Sequence, residues 1–309
     1  MPESTKIQWC DHSASPWHGC SKVHAGCDHC YAERQSWRNP STLGVWGEDG
    51  VRVKSASFIG NLRRWQKQAA KAGTTVSVFP SICDPFEDRP ELVPWREEMF
   101  AVIDECPNVR LLLLTKRPEN VRRMWTWHKV AGHVSQNAGD GYHYDYRSNV
   151  WIGTSISDQP TADKYVPELL NCRDLTPVLF VSCEPLLGPI DLEAADALPC
   201  GAVDCHLGAD HERRVCGCSF GVDWVIVGGE SGQKSRPCEV RWVRDIVRQC
   251  AAASVPCFVK QLGSRPLRHI DEMHVKQIKL ADSKGGDVGE WPEDLRVRQF
   301  PEAILCPQE

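Results

Sequence analysis

The sequence predicts an α/β fold with mainly parallel strands, and three observations carry that expectation. Six short apolar runs are separated mostly by helix-forming stretches, and strict β-α alternation gives parallel strands joined by right-handed crossovers. The runs are continuously apolar, as in strands buried on both faces. Each run also ends in polar or glycine-rich residues: Ser81 and Asp84; Thr115, Lys116 and Arg117; Ser155 and Ser157; Glu184; Gly229 and Glu230; Lys260 and Gln261. In a barrel such ends meet at one mouth. In a doubly wound sheet the ligand would use mainly the ends beside one switch point. The expected architecture is therefore a partial (β/α)6-type TIM barrel spanning residues 1–263. It carries a Cys-rich insertion at 193–222 and a C-terminal extension, 264–309, packed on the barrel.

Taken in order, residues 6–19 lead into a cysteine loop and have room for a short first strand. Tyr31 to Trp37 starts a helix, and Asn61 to Ala72 is a helix stopped by Gly73. Val76 to Phe79 is the first β-type run. Pro90 to Cys106 places Leu92, Trp95, Met99, Phe100 and Ile103 near helical spacing. Val109 to Leu114, Val150 to Ile152, Pro177 to Val181, Asp223 to Val227 and Pro256 to Val259 are the remaining strands. Pro118 to Trp127, Thr161 to Asn171 and Val240 to Ala253 are the intervening helices. Residues 128–148 lack periodicity and read as a loop. Trp291 to Pro301 reads as an extended segment folded back on the body, with Arg296 and Arg298 directed to the mouth or to solvent.

Composition narrows the class. The chain has 309 residues, is 41% hydrophobic and carries a net charge of −5. That is enough apolar material for a sizeable core, and no broad basic face for duplex binding is implied. No run approaches the roughly 20 apolar residues of a membrane span. The N-terminus lacks a basic-then-apolar signal pattern, so a cytoplasmic location is expected. Sixteen cysteines in such a chain point to metal binding and buried thiols before they point to disulfides.

Two cysteine groups stand out. Cys20, Cys27 and Cys30 have six and then two residues between them, in a loop with Gly19 and Gly26. Thiolates this close can share one metal centre. A structural zinc site usually takes four protein ligands, whereas an iron–sulfur cubane on three cysteines leaves one iron open. The preferred reading is a [4Fe–4S] cluster whose open iron binds S-adenosylmethionine, with zinc or no metal as the alternatives. The strand ends suit that ligand's amine, carboxylate, ribose and adenine. Gly228, Gly229 and Glu230 match an amine, Glu184 an amine or ribose hydroxyls, and Lys116, Arg117 and Lys260 a carboxylate or phosphate, with Ser155 among the polar ends. The second group, Cys200, Cys205, Cys216 and Cys218, can close a structural zinc site, with an auxiliary cluster or unligated thiols as alternatives. Asp84, Glu87 and Asp88 read as a solvated acidic loop before they read as a substrate or metal site. Trp17 and His18 are placed to shield the cluster.

The segment from Trp17 to Arg34 resembles the opening of a phage-associated uncharacterised family, the phage Gp thirty-seven/sixty-eight type. Supporting segments are Ile7 to Trp9, Pro16 to Cys20, Ser81 to Phe86, Leu114 to Pro118, Trp151 to Ser155, Cys183 to Gly188, Gly228 to Gly232, Phe258 to Gln261 and Glu290 to Pro301. That family in turn resembles divergent radical S-adenosylmethionine enzymes. The resemblance implies a partial barrel and a three-cysteine cluster that reduces adenosylmethionine to a 5′-deoxyadenosyl radical for hydrogen abstraction. It implies an electron donor of flavodoxin or ferredoxin type, and a substrate for which a nucleotide or nucleic-acid base is one candidate. Tyr31 falls where such enzymes often carry an aromatic against adenine; the plain alternative is a core aromatic at a helix start. The commonest loop of those enzymes spaces its cysteines three and then two apart, and here the first gap is six. A zinc-bound interaction or nucleic-acid-binding module without catalysis is the competing expectation.

Overall fold

The computed structural model describes residues 5–125, 146–199, 221–271 and 274–302. The chain groups into two compact units: residues 1–153 with 171–178, and residues 154–170 with 179–309.

The first unit opens with β1 (His12–Ser13) and β2 (Trp17–His18), followed by the cysteine loop, α1 (Tyr31–Ser36), α2 (Pro40–Leu43) and β3 (Val53–Lys54). β2 and β3 pair antiparallel, with Trp17 opposite Lys54. The excursion between them is tied shut by the Gly47 N–H, which donates to the Cys20 carbonyl at 3.0 Å. In α3 (Phe58–Ala72) the residues Phe58, Leu62, Trp65 and Ala69 are buried, a spacing that holds them on one face. The helix ends at Gly73, whose φ of 63° is left-handed and costs glycine nothing. There follow β4 (Val76–Phe79), α4 (Val93–Asp104), β5 (Val109–Thr115) and α5 (Val121–Met124). The pairings β1–β4 and β4–β5 are parallel. The helix expected to run to Trp127 stops at Met124, because Trp125 has an extended backbone; residues 126–127 lie outside the described residues. β1 supplies the short first strand for which residues 6–19 left room.

β6 (Val150–Ile156) starts in the first unit and finishes in the second. It is longer than the expected Val150–Ile152 because Thr154 and Ser155 stay in the strand, buried. The second unit continues with α6 (Gln159–Leu170), β7 (Val178–Cys183), β8 (Trp224–Gly228), β9 (Cys238–Glu239), α7 (Val240–Ala252), β10 (Cys257–Gln261), β11 (Pro266–His269) and β12 (Val275–Gln277). The pairings β7–β8 and β8–β10 are parallel. β7 and β8 are buried along their whole length, as two-sided packing requires. Trp224 anchors this core, with its ring against Phe180, Phe258 and Phe300.

The sheet order is β1-β4-β5-β6-β7-β8-β10. It contains no reversal and therefore no switch point. This is the winding of an incomplete β/α barrel and not of a doubly wound sheet, with one strand more than the six expected.

The described residues after 263 belong to the second unit. β11 pairs parallel with β9 and antiparallel with β12. The expected extended segment runs back along β10: the Val259 N–H donates to the Val297 carbonyl and the Gln299 N–H to the Cys257 carbonyl, both at 2.8 Å. Arg298 lies over the Phe258 and Trp291 rings, and Arg296 donates to the carbonyls of Trp291 and Gly289. Both arginines are therefore occupied within their own unit. Among the described residues no helix is long and apolar enough to cross a membrane. The second cysteine group (Cys200, Cys205, Cys216, Cys218) lies outside the described residues.

Candidate functional site

The first unit holds Cys20, Cys27, Cys30, Tyr31 and Lys116. Gly19 opens the loop with φ 104°, and a Cβ there would stand 2.9 Å from Arg52 Cδ. The left-handed turn and the close approach both require glycine. Gly19 also bridges in parallel to Cys83, which ties the loop to the end of β4. A short 3₁₀ turn, Ala25–Cys27, is capped by His24, whose side chain accepts the Gly26 N–H. The Cys30 N–H then donates to the Cys27 carbonyl at 3.2 Å, so the last two cysteines share one turn. Among the described residues no group of three or more His, Cys, Asp or Glu side chains stands as a ready metal-ligand set.

The donor chemistry around the sulfurs nevertheless fits thiolate ligands. Cys27 Sγ accepts the Val23 N–H at 3.5 Å. Cys20 Sγ accepts from Arg117 Nη1 at 3.7 Å. Burial pushes the Cys20 thiol well up, the Asp84 and Glu87 charges add to this, and Arg117 opposes it. Burial also raises Cys30; the amides of Glu33 and Ala32 and the charge of Lys116 act the other way. A buried thiol of this kind keeps its proton until a cation takes the proton's place. Cys83, a cysteine the sequence reading did not single out, is raised by burial and by the charges of Asp84 and Cys20. Tyr31 is 46% exposed and donates from its hydroxyl to the Ser81 carbonyl at 2.8 Å, so it is not a core aromatic.

The acidic loop after β4 is not solvated, which corrects that expectation. Asp84 and Glu87 are buried, and only Asp88 is exposed, paired with Arg123. Asp84 accepts four hydrogen bonds, from the N–H groups of Phe86 and Lys116, the Thr115 hydroxyl and Arg117 Nη1. Glu87 also accepts four, from the Ser21 N–H and hydroxyl and from Arg52 Nε and Nη2. Four is about the capacity of a carboxylate, so neither has room for a substrate or metal. Burial works against the Arg117 cation, but Asp84, Cys20 and Glu87 outweigh it and the net shift is upward. Arg52 and Ser21 were not assigned to a site from sequence, whereas Arg117 was read as a partner for a ligand carboxylate or phosphate and Glu87 as part of an acidic loop; the structure engages both internally.

The second unit holds Ser155, Glu184, Gly228, Gly229, Glu230 and Lys260. Glu184 follows β7 and pairs with Lys260 at the end of β10, at 2.9 Å. Its other oxygen accepts the Ser182 hydroxyl at 3.2 Å, and the Ser155 hydroxyl donates to the Glu184 carbonyl at 3.0 Å. The two glycines are explained by close approach. A Cβ on Gly228 would meet Glu184 Oε1 at 2.9 Å, and one on Gly229 would meet the Leu262 carbonyl oxygen at 2.4 Å. Both glycine carbonyls already accept internal bonds, from the Leu186 N–H and from Gln261 Nε2. Glu230 is clamped by Arg236, which donates from its backbone N–H, Nε and Nη2.

These features define a singly wound α/β protein with a partly buried cysteine loop that carries N–H donors. The chain belongs to the family described as "Protein of unknown function (DUF5131)", whose profile matches residues 4–286. That match carries no phage association with it. No curated protein matches the sequence. A solved structure of a spore photoproduct lyase complexed with dinucleoside spore photoproduct is similar at a TM-score of 0.40 and 12% identity, covering 95% of this chain and 74% of that chain. A likeness of that degree bears on neither substrate nor reaction here.

Proposed function

We propose that the protein is a radical S-adenosylmethionine iron–sulfur enzyme, with Cys20, Cys27 and Cys30 as the ligands of a [4Fe–4S] cluster. One observation carries this reading: three cysteines fall in a single loop at the head of a singly wound α/β sheet, with N–H groups toward their sulfurs. When bound, such a cluster supplies the electron that cleaves adenosylmethionine to a 5′-deoxyadenosyl radical. The chain's own part is to hold three thiolates, shield them in part from water and offset their charge with N–H donors and Lys116. Three protein ligands rather than four leave a position for the cosubstrate. Of the residues expected to bind adenosylmethionine (Tyr31, Lys116, Ser155, Glu184, Gly228, Gly229, Glu230 and Lys260), Glu230 and the two glycine carbonyls are engaged internally, and within the second unit Glu184 with Lys260 is the pair that retains bonding capacity. The reading requires an electron donor of flavodoxin or ferredoxin type.

The test is anaerobic reconstitution with iron and sulfide, then adenosylmethionine and dithionite, with 5′-deoxyadenosine measured by chromatography. A brown protein that forms 5′-deoxyadenosine is expected, and Cys27→Ala loses both the cluster and the product. A colourless protein that retains only zinc, or an intact reducible cluster that gives no product, sinks the reading.

A further inference from the structure

Arg117 follows β5 and has its side chain only 12% exposed. Each of its four terminal N–H bonds finds an acceptor. Nη1 donates to Asp84 Oδ2 at 2.7 Å and to Cys20 Sγ at 3.7 Å. Nη2 donates to the Ser21 carbonyl at 3.0 Å and to the Ser21 hydroxyl at 2.9 Å. The Ser21 hydroxyl donates a hydrogen bond to Glu87 Oε1 at 2.7 Å, and Arg52 holds Glu87 through two further N–H bonds. One guanidinium thus fixes the sulfur of residue 20 and both the backbone and side chain of residue 21.

Neutralising Asp84 does not account for this arrangement. Asp84 already has three donors without Arg117, and a cation paired with it alone would not need to spread over Ser21 and Cys20. The planar fork reaches four acceptors at fixed angles, which the point charge of a lysine does not reproduce. The Cys20 thiol donates to the Ser21 carbonyl at 3.3 Å. Once a metal displaces that proton, the Arg117 N–H is the donor left facing the sulfur.

We propose that Arg117 is the positioning residue for Cys20 as a metal ligand, and that its charge sets how readily the metal centre accepts an electron. The second half rests on the iron–sulfur reading above; the first half holds for any thiolate-bound metal. A positive charge beside a cluster favours the more negative, reduced state, and partners of ligating groups typically carry about 10–100-fold in metal affinity.

Two variants separate the effects and keep the fold. Arg117→Lys retains the charge and loses the fork. Arg117→Gln combined with Asp84→Asn removes both charges, so no buried ion is stranded; circular dichroism and thermal melting confirm folding. The first measurement is anaerobic cobalt(II) titration, read by thiolate-to-cobalt charge-transfer absorption. Both variants are expected to bind about 10–100-fold more weakly than wild type. The second measurement is the cluster midpoint potential, from EPR-monitored titration. Arg117→Lys is expected near wild type. Relative to Asp84→Asn alone, which removes only the negative charge, the double variant is expected to hold about tenfold less reduced cluster at a fixed potential, which is about 59 mV for a one-electron couple. Wild-type cobalt affinity in both variants overturns the positioning role. Weakened cobalt binding with no difference in potential between Asp84→Asn and the double variant overturns the electronic role. If wild type binds cobalt but assembles no cluster, the enzyme reading and the electronic role fall together, and the cobalt arm still decides the positioning role.

Discussion

The strand-end carboxylates of the two units differ in how fully they are used. In the first unit Asp84 and Glu87 each accept four hydrogen bonds, and the Arg52–Glu87 pair is 0% and 2% exposed. In the second unit Glu184 accepts two through its carboxylate, from Lys260 and Ser182, and the Glu184–Lys260 pair is 14% and 26% exposed. A carboxylate with every lone pair engaged is part of the scaffold. One with about half of them engaged can still accept from a ligand. Glu230 belongs with the first kind, since Arg236 takes both of its oxygens. An acidic residue at a strand end is therefore not enough to mark a binding group; the number of internal donors decides.

The comparison can be broken most directly at Arg52. Its guanidinium donates to Glu87 and to the carbonyls of Val45, Gly47 and Gly50, so it also closes the excursion between β2 and β3. Arg52→Met leaves a buried carboxylate without its cation, and breaking such a pair costs about 3–5 kcal/mol. Urea denaturation of the metal-free protein checks it. A loss under about 1 kcal/mol, the range of exposed pairs, would place Glu87 with Glu184 and end the distinction. Gly229→Ala comes next. The added Cβ falls 2.4 Å from the Leu262 carbonyl oxygen, backbone that cannot swing aside, and overpacking of this kind costs about 1–3 kcal/mol. An unchanged denaturation midpoint would mean that Gly229 is there for a ligand and not for the close approach of β8 to the chain after β10.

Much of the frame was legible because it depends on local pattern. The runs at Val109 to Leu114 and Asp223 to Val227 are strands because nothing but two-sided burial suits them. Asn61 to Ala72 is helical up to a glycine that ends it, and its true start at Phe58 is the usual uncertainty of a first turn. What was not legible depends on partners far along the chain. Asp84 looks solvated beside Glu87 and Asp88, but Ser21, Arg52, Thr115 and Arg117 close around Asp84 and Glu87. Hydropathy cannot register a charge satisfied by residues this distant in sequence. The same limit applied to Arg298, which reads as a residue for the mouth or for solvent and lies across two aromatic rings. For the cysteine loop, spacing showed that three thiols lie close together. It did not show that the first is held by a guanidinium from the end of β5.

The smallest effect on stability, and the sharpest test of the contrast, is expected at Glu184. Gln keeps the shape and one acceptor oxygen but removes the charge that faces Lys260. Because the pair is partly exposed, its contribution to folding falls in the range of about 0–1 kcal/mol, well below that of Arg52→Met. The ligand should register the change far more strongly. A hydrogen bond to a charged group contributes about 1.5–3 kcal/mol, so Glu184→Gln is expected to weaken adenosylmethionine binding by about 10–100-fold. Equilibrium dialysis on the reconstituted protein measures the affinity, and a urea series on the same preparation measures the stability. Lys260→Met provides the converse: it frees the carboxylate from its cation, so a ligand amine should bind no worse, whereas a ligand carboxylate held by Lys260 should be lost. Unchanged affinity in both variants would remove Glu184 and Lys260 from the proposed site. A large stability loss in Glu184→Gln with affinity intact would make the pair scaffold like Glu87, and the contrast between the two units would no longer hold.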